Sequence, residues 1–95
     1  MSTPSIQMDT ARRLFEISVD GHVAHLEYRE KQGVLTILHT LVPSALGGRG
    51  YGAALVDAAV AHALQAGLRV ASECGYATRR LAANEARATA GKTGH

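Results

Sequence analysis

The stretch Leu46-Gly47-Gly48-Arg49-Gly50-Tyr51-Gly52-Ala53 decides how this chain is organised. It places four glycines within six residues, and an arginine lies among them. Strand-like sequence leads into it through Leu41-Val42-Pro43, and an alanine-rich run with helical spacing follows it. A glycine-rich turn that opens a helix offers unpaired backbone N–H groups and the positive end of the helix dipole, without side chains to keep an anion away. The stretch therefore predicts an anion-binding turn that suits the pyrophosphate of a nucleotide-like cofactor.

The length of 95 residues predicts one small domain with a modest core. Residues 1–11 carry Ser, Thr and Pro without a clear period, so we expect a flexible leader there. Residues 12–88 then form the single domain, and residues 89–95 are expected to be a flexible, frayed tail.

Charge and cysteine content narrow the classes of partner. The net charge of +2 is too small for a nucleic-acid-binding face, and no apolar run approaches the length of a membrane span. Cys74 is the single cysteine, which excludes an intramolecular disulfide and argues against a structural zinc cluster. We expect a cytoplasmic protein that binds neither nucleic acid nor membrane and holds no metal.

The first half predicts a three-stranded antiparallel meander. Apolar and polar residues alternate over residues 15–19, and Asp20-Gly21 is a strong signal for a two-residue hairpin turn. Residues 22–29 alternate again, and after a second turn residues 34–42 are the most apolar strand candidate, rich in Val, Ile, Leu and Thr, as in a central strand covered on both faces.

The second half predicts a βαβ crossover. Residues 51–66 have a broad apolar face at helical spacing, and Gly67 suits the end of that helix. Residues 68–73 form a short fourth strand, parallel to the third because such crossovers are right-handed and return to the same sheet. Residues 76–88 then favour a C-terminal helix. The predicted fold class is therefore a small α/β (α+β) domain.

Three interpretations of the glycine turn compete. One or two glycines would suit a tight turn without a ligand, but four with an arginine exceed that need. The pattern Gly48-x-Gly50-x-x-Ala53, with Glu73 about twenty residues later, also fits a dinucleotide fingerprint. That fingerprint should follow its strand directly, however, and here residues 43–47 intervene. The third interpretation is a coenzyme A site.

The order of meander, Val-Pro, glycine turn, helix, strand and helix resembles the GNAT superfamily of N-acetyltransferases. Within that superfamily the chain is similar to the minimal YjdJ-type branch. The pieces that carry the resemblance run from about Arg13 to Asn84: Val19-Asp20-Gly21-His22, Leu26-Glu27-Tyr28, His39-Thr40-x-Val42-Pro43, Gly48-Arg49-Gly50-x-Gly52 and Cys74-x-Tyr76. Two departures stand out. Gly47 occupies the first loop position, usually Arg or Gln, and Arg80, Asn84 and Glu85 replace an aromatic residue and a His-Pro pair.

The resemblance implies that acetyl-CoA is bound along the end of the third strand and over the glycine turn. Its pantetheine arm would pair with the backbone near Leu41 and Val42. Arg49 would face the phosphate oxygens, although it could equally be a solvated loop arginine. The implied cofactor-binding residues are Leu41, Val42, Gly48, Arg49, Gly50, Tyr51, Gly52 and Ala53.

Four residues are candidates for the chemistry of acetyl transfer. Cys74 ends the fourth strand just before a helix. A helix N-terminus lowers the pKa of a thiol, so Cys74 could act as a nucleophile or a general acid. The alternative is that Cys74 is a small buried residue without a chemical role. His39 is the candidate general base, with a hydrogen-bonded sheet histidine as the alternative. Thr40 could orient His39 or simply be a β-branched strand residue, and Tyr76 could protonate the leaving thiolate or simply pack.

The implied function is an N-acetyltransferase that uses acetyl-CoA to modify an amine of a small molecule, a peptide or a protein. A CoA-binding or interaction module without turnover is the alternative, favoured by the departures after Cys74. The acceptor is not identified by the sequence. So short a chain predicts a shallow acceptor site, or one completed by a partner or a second copy, so a homodimer is possible.

Overall fold

The computed structural model describes residues 5–93, with side-chain surroundings for residues 5–84. Five strands, a short 3₁₀ turn and two helices follow one another along the chain. Their bounds are β1 Ile6–Asp9, β2 Leu14–Val19, β3 His22–Lys31, β4 Val34–Leu41, the 3₁₀ turn Ser44–Leu46, α1 Tyr51–Ala66, β5 Arg69–Ser72 and α2 Gly75–Thr93.

The strands form one sheet in the order β1-β2-β3-β4-β5. Neighbours β1 to β4 are antiparallel, and β4 and β5 are parallel. The turn between β2 and β3 has positive φ at both Asp20 (51°) and Gly21 (79°), as a two-residue hairpin requires. The predicted meander, crossover and parallel last strand are therefore confirmed, and with them the α+β fold class.

The expectation of a loose leader over residues 1–11 is wrong for Ile6–Asp9, which form the edge strand β1. Ile6 pairs with Ile17 and Met8 with Phe15, so both apolar side chains of β1 lie on the face that carries the core. The alternation of Ile6 and Met8 with polar neighbours was present in the sequence. Four residues were too short a run to be distinguished from irregular chain by periodicity alone.

The register between β3 and β4 shifts by one residue. Tyr28 lies opposite Ile37, but Glu27 lies opposite His39, so Leu38 is an extra residue on β4. Such a β-bulge interrupts the alternation of side chains between the two faces of the sheet. Beyond the bulge Thr40 is opposite Leu26 and therefore lies on the core face, whereas His39 lies on the other face.

The core lies between one face of the sheet and α1. Its strand residues are Phe15, Ile17, Ala24, Leu26, Tyr28, Leu35 and Ile37, and its helix residues are Leu55, Val56, Ala59 and Ala63, joined by Leu46 and Ala77. Ala24, Leu26 and Tyr28, which alternate along β3, are buried on one face of the sheet. Leu64 stands at a position where helical spacing predicts the apolar face of α1, but it is 73% exposed.

Helix α2 is longer than predicted. It begins at Gly75 and runs to Thr93, so the tail expected over residues 89–95 is helical as far as residue 93, and residues 94–95 lie outside the described part. Helix propensity weakens at Thr89 and Gly91, which is why the sequence predicted an earlier end. Within the described residues, neither helix combines the length and the apolar character that crossing a membrane requires.

Candidate functional site

The glycine turn brings the chain from β4 to the start of α1. After Pro43 the 3₁₀ turn buries Leu46, which is 1% exposed and anchors the segment to the core. Helix α1 follows, and its first internal hydrogen bond runs from the Ala54 N–H to the Gly50 carbonyl, with the two atoms 3.0 Å apart. No side chain among the described residues caps this helix start. The N–H groups of residues 51–53 thus point out of the helix end without intrahelical partners.

Gly48 and Gly50 adopt a left-handed backbone at φ of 75° and 81°. A Cβ added at either position would meet no atom within 4 Å, so neither glycine is required by packing. Their backbone conformation disfavours a side chain, and the space beside them is open. The turn is therefore an accessible concave backbone surface at a helix N-terminus, which is a favourable place for an anion.

A cavity of about 440 Å³ opens beside this turn. The size is in the range of small-molecule sites. Its walls combine the turn backbone, the end of β4 and the first turns of both helices: they are formed by Thr40, Val42, Leu46, Gly47, Gly48, Gly50, Tyr51, Gly52 and Tyr76.

Tyr76 closes one side of the cavity from the first turn of α2. Its ring lies against the first turn of α1, because a Cβ built on Gly52 would come within 3.0 Å of the Tyr76 hydroxyl oxygen. Gly52 is thus the residue that allows the two helix starts to meet. Tyr76 remains 39% exposed, so its ring faces both the cavity and solvent.

Cys74 and Thr40 meet where β4 and β5 part. The last paired residues are Ile37 and Ser72, and the thiol Sγ of Cys74 lies 3.8 Å from the hydroxyl Oγ1 of Thr40. Burial alone would raise the pKa of the Cys74 thiol. Hydrogen bonds from the backbone of Ala77, the Thr40 hydroxyl and the backbone of Tyr76 outweigh it, so the pKa is lowered. The predicted effect of the helix N-terminus on this thiol agrees with this direction.

His39 does not join this group. It is exposed and lies opposite Glu27 on the face of the sheet that α1 does not cover, while Thr40 faces the cavity. Strict alternation would place His39 with Leu35 and Ile37 on the core face. Because Leu38 is an extra residue, Thr40 takes that place on the core face and His39 lies on the opposite face. The interpretation of Thr40 as a residue that orients His39 is wrong, since their side chains are on opposite faces.

Comparison with known proteins decides the family. The sequence profile described as GCN5-related N-acetyl-transferase matches residues 14–89. The chain belongs to this family. The structure is also similar to the solution NMR structure of a GCN5-like proposed N-acetyltransferase from Staphylococcus aureus, with a TM-score of 0.70 and 30% identity over 90% of this chain and 85% of that chain. A comparison with curated proteins gave no match.

Membership of the GCN5-related family confirms the resemblance to the GNAT superfamily, whereas the narrower YjdJ-type branch stays a prediction. It also disfavours the dinucleotide interpretation. Glu73, which would have bound a ribose in that interpretation, forms an ion pair with Arg29 at 3.0 Å instead.

The cavity of this GCN5-related chain contains part of the predicted cofactor set. Val42, Gly48, Gly50, Tyr51 and Gly52 line it. Leu41 is 55% exposed, and neither it nor Arg49 nor Ala53 is among the lining residues. Lining residues that the prediction omitted are Leu46, Gly47 and Tyr76.

Each omission has a different origin. Gly47 lacks the side chain that the family pattern carries at this position, but it lies in the cavity wall. The apolar Leu46 followed by glycines was a visible signal for an anchor beside the turn. The placement of Tyr76 against Gly52 depends on how two helices pack, which sequence spacing does not report.

Proposed function

We propose that this protein is an acetyl-CoA-dependent N-acetyltransferase that modifies an amine of a small molecule, a peptide or a protein. The observation that carries the proposal is the start of α1, which no side chain of the described residues caps and which opens onto the cavity through a glycine turn with open space beside it. Membership of the GCN5-related N-acetyltransferase family supports the same reaction class.

The residues present fit the phosphate end of acetyl-CoA. The outward N–H groups of residues 51–53 can donate to a pyrophosphate, and the α1 dipole favours its negative charge. Cβ atoms at Gly48 and Gly50 would occupy the open space that such a group needs. No acidic residue lies in the first turn of α1, so nothing there repels an anion. We place Arg49 beside the phosphates as an additional, exposed cation.

The residues present also fit the acyl end. Acetyl-CoA supplies an activated thioester, so the protein's task is to position it beside an amine and to manage protons. We place Cys74 at the reacting end as a nucleophile or a proton donor, with Thr40 Oγ1 setting the direction of its thiol. Leu41 and Val42 supply backbone groups along the path between the two ends. An amine that reaches the end of β4 from the uncovered face would meet His39 as its general base.

The test of the proposal compares two glycines that share one backbone conformation. Gly50 begins α1 at φ of 81°, and Gly67 ends it at φ of 72°. Alanine at either position costs about 1–2 kcal/mol of folding free energy because both backbones are left-handed. Calorimetric titration should show that acetyl-CoA binds the wild type and Gly67→Ala equally and Gly50→Ala at least tenfold more weakly, roughly the loss of one charge-assisted hydrogen bond. Equal weakening in both variants, or no binding to the wild type, would contradict it.

A CoA-binding module without turnover is the second candidate. One observation favours it: Arg80 and Asn84, at two of the positions where the branch carries other residues, both bind Asp57 of α1. A CoA-release assay over a panel of amines and peptides separates the two candidates. Release above the hydrolysis background that disappears in Cys74→Ala supports catalysis through Cys74. Binding of acetyl-CoA with no release over the panel supports the binding module.

A further inference from the structure

Three polar side chains join the two helices beside the cavity. Arg80 of α2 donates to both carboxylate oxygens of Asp57 on α1, from Nη2 at 2.8 Å and from Nε at 3.2 Å. The Asn84 amide donates to Oδ1 of the same carboxylate at 2.8 Å. Bidentate pairing fixes the direction as well as the distance between two groups, which a single-point surface ion pair does not. We call these three residues the Asp57 network.

Along α2 the Asp57 network follows Tyr76, which forms one wall of the cavity. Tyr76, Arg80 and Asn84 follow one another at intervals of four residues, which places them along one side of α2. On α1 the matching residues are Gly52, against which Tyr76 packs, and Asp57 one and a half turns later. The contact between Gly52 and Tyr76 thus forms part of the cavity wall, and the hydrogen bonds to Asp57 hold the two helices together.

We propose that Asp57 is a positioning residue for the cavity: by holding Arg80 and Asn84 it fixes α2 against α1 and keeps the Tyr76 ring in the cavity wall. In this proposal Arg80 and Asn84, which depart from the pattern of the branch that the chain resembles, hold the two helices together. The inference rests on the proposed function only in using acetyl-CoA as the probe of the cavity.

The test reads the position of Tyr76 directly. The chain has three tyrosines, so selective ¹³C labelling of tyrosine rings gives three sets of NMR signals, which Tyr76→Phe assigns to Tyr76 by the loss of one set. Asp57→Ala removes the carboxylate that all hydrogen bonds of the network share, and Arg80→Ala removes the bidentate pair but leaves the Asn84 bond; neither change lowers helix propensity. Arg29→Ala is the control, because it removes another arginine–carboxylate ion pair, with Glu73, that is more exposed than the Arg80–Asp57 pair and is not part of the helix pair.

In both network variants we expect the Tyr76 signals to shift, the signals of the buried Tyr28 to stay, and the Kd of acetyl-CoA to rise roughly fivefold, as couplings within one polar network do. Arg29→Ala should have the Tyr76 signals, the Tyr28 signals and the Kd of the wild type. The exchanged pair Asp57→Arg with Arg80→Asp should regain part of the affinity, which a loss of general stability would not explain. Asn84→Ala provides a milder variant if the others do not fold.

Folded network variants with wild-type Tyr76 signals would overturn the inference, and so would shifted signals with an unchanged Kd. If acetyl-CoA does not bind the wild type at all, the proposed function is wrong. In that case the Tyr76 signals alone decide whether Asp57 positions this wall, so the two failures are distinguishable.

Discussion

Cys74 owes its chemistry to the groups that the fold brings around its sulfur. Burial raises the thiol pKa, but Ala77 and Tyr76 in the first turn of α2, together with the Thr40 hydroxyl, stabilise the thiolate more strongly. Because the folded-state pKa is lowered, the thiolate forms at a lower pH in the folded protein than in the unfolded chain.

The rate of alkylation of Cys74 by iodoacetamide should therefore reach half its maximum at a lower pH in the folded protein than in urea. Thr40→Val keeps the shape of the side chain and removes the hydroxyl, so it should move this midpoint upward. An identical midpoint in folded and unfolded protein would show that the surroundings of Cys74 do not favour its thiolate. A Thr40→Val midpoint equal to that of the wild type would show that the Thr40 hydroxyl does not help to lower the pKa of Cys74.

Arg49 is the exposed cation of the glycine turn, and the role proposed for it beside the phosphates is electrostatic. Arg49→Ala should weaken acetyl-CoA binding more at low than at high salt, because the screening length falls from about 30 Å at 0.01 M to about 8 Å at 0.15 M. Arg69→Ala is the control: Arg69 is also exposed but pairs with Val34, at the opposite end of the parallel strands. Titration calorimetry at the two salt concentrations measures the Kd of acetyl-CoA for both variants. The same Kd for Arg49→Ala and the wild type at low salt would refute the contact.

At the scale of elements, helix α1 offers two leucines on which to test its packing. Leu55 is fully buried and Leu64 is 73% exposed, although sequence spacing assigned both to one apolar face. Leu55→Ala should lower the free energy of unfolding by about 3 kcal/mol, since it leaves a cavity in a close-packed core. Leu64→Ala should change it by less than about 0.5 kcal/mol. Urea unfolding followed by circular dichroism measures both, and similar losses would contradict the placement of α1.

The elements show what the sequence could and could not predict. Strands β2 to β5 and helix α1 followed from alternation, hairpin signals and helical spacing, each of which is local. The bulge at Leu38 has no such signal, because any residue can be the extra one. The bulge decides which of His39 and Thr40 faces the cavity. The strand could therefore be predicted from the sequence, but the directions of these two side chains could not.

At the scale of the molecule, topology explains why one edge of the sheet carries the site. Strands β4 and β5 are parallel, so their C-terminal ends lie at the same edge, and each is followed by a helix that begins there. The starts of α1 and α2 converge, as the contact between Gly52 and Tyr76 shows. Two helix dipoles thus present their positive ends to one cavity. This convergence could be deduced from the predicted crossover, whereas the partners of Asp57 depend on tertiary packing.

We propose that the start of α1 and its glycine turn bind the phosphates of acetyl-CoA. This binding is tested by titrating ¹⁵N-labelled protein with acetyl-CoA and following the backbone amide signals. We expect the largest shifts on the amides of residues 48–53, smaller ones at Thr40 and Tyr76, and almost none in the hairpin of β2 and β3. Saturation with the largest shifts elsewhere, or no shifts at millimolar acetyl-CoA, would contradict it.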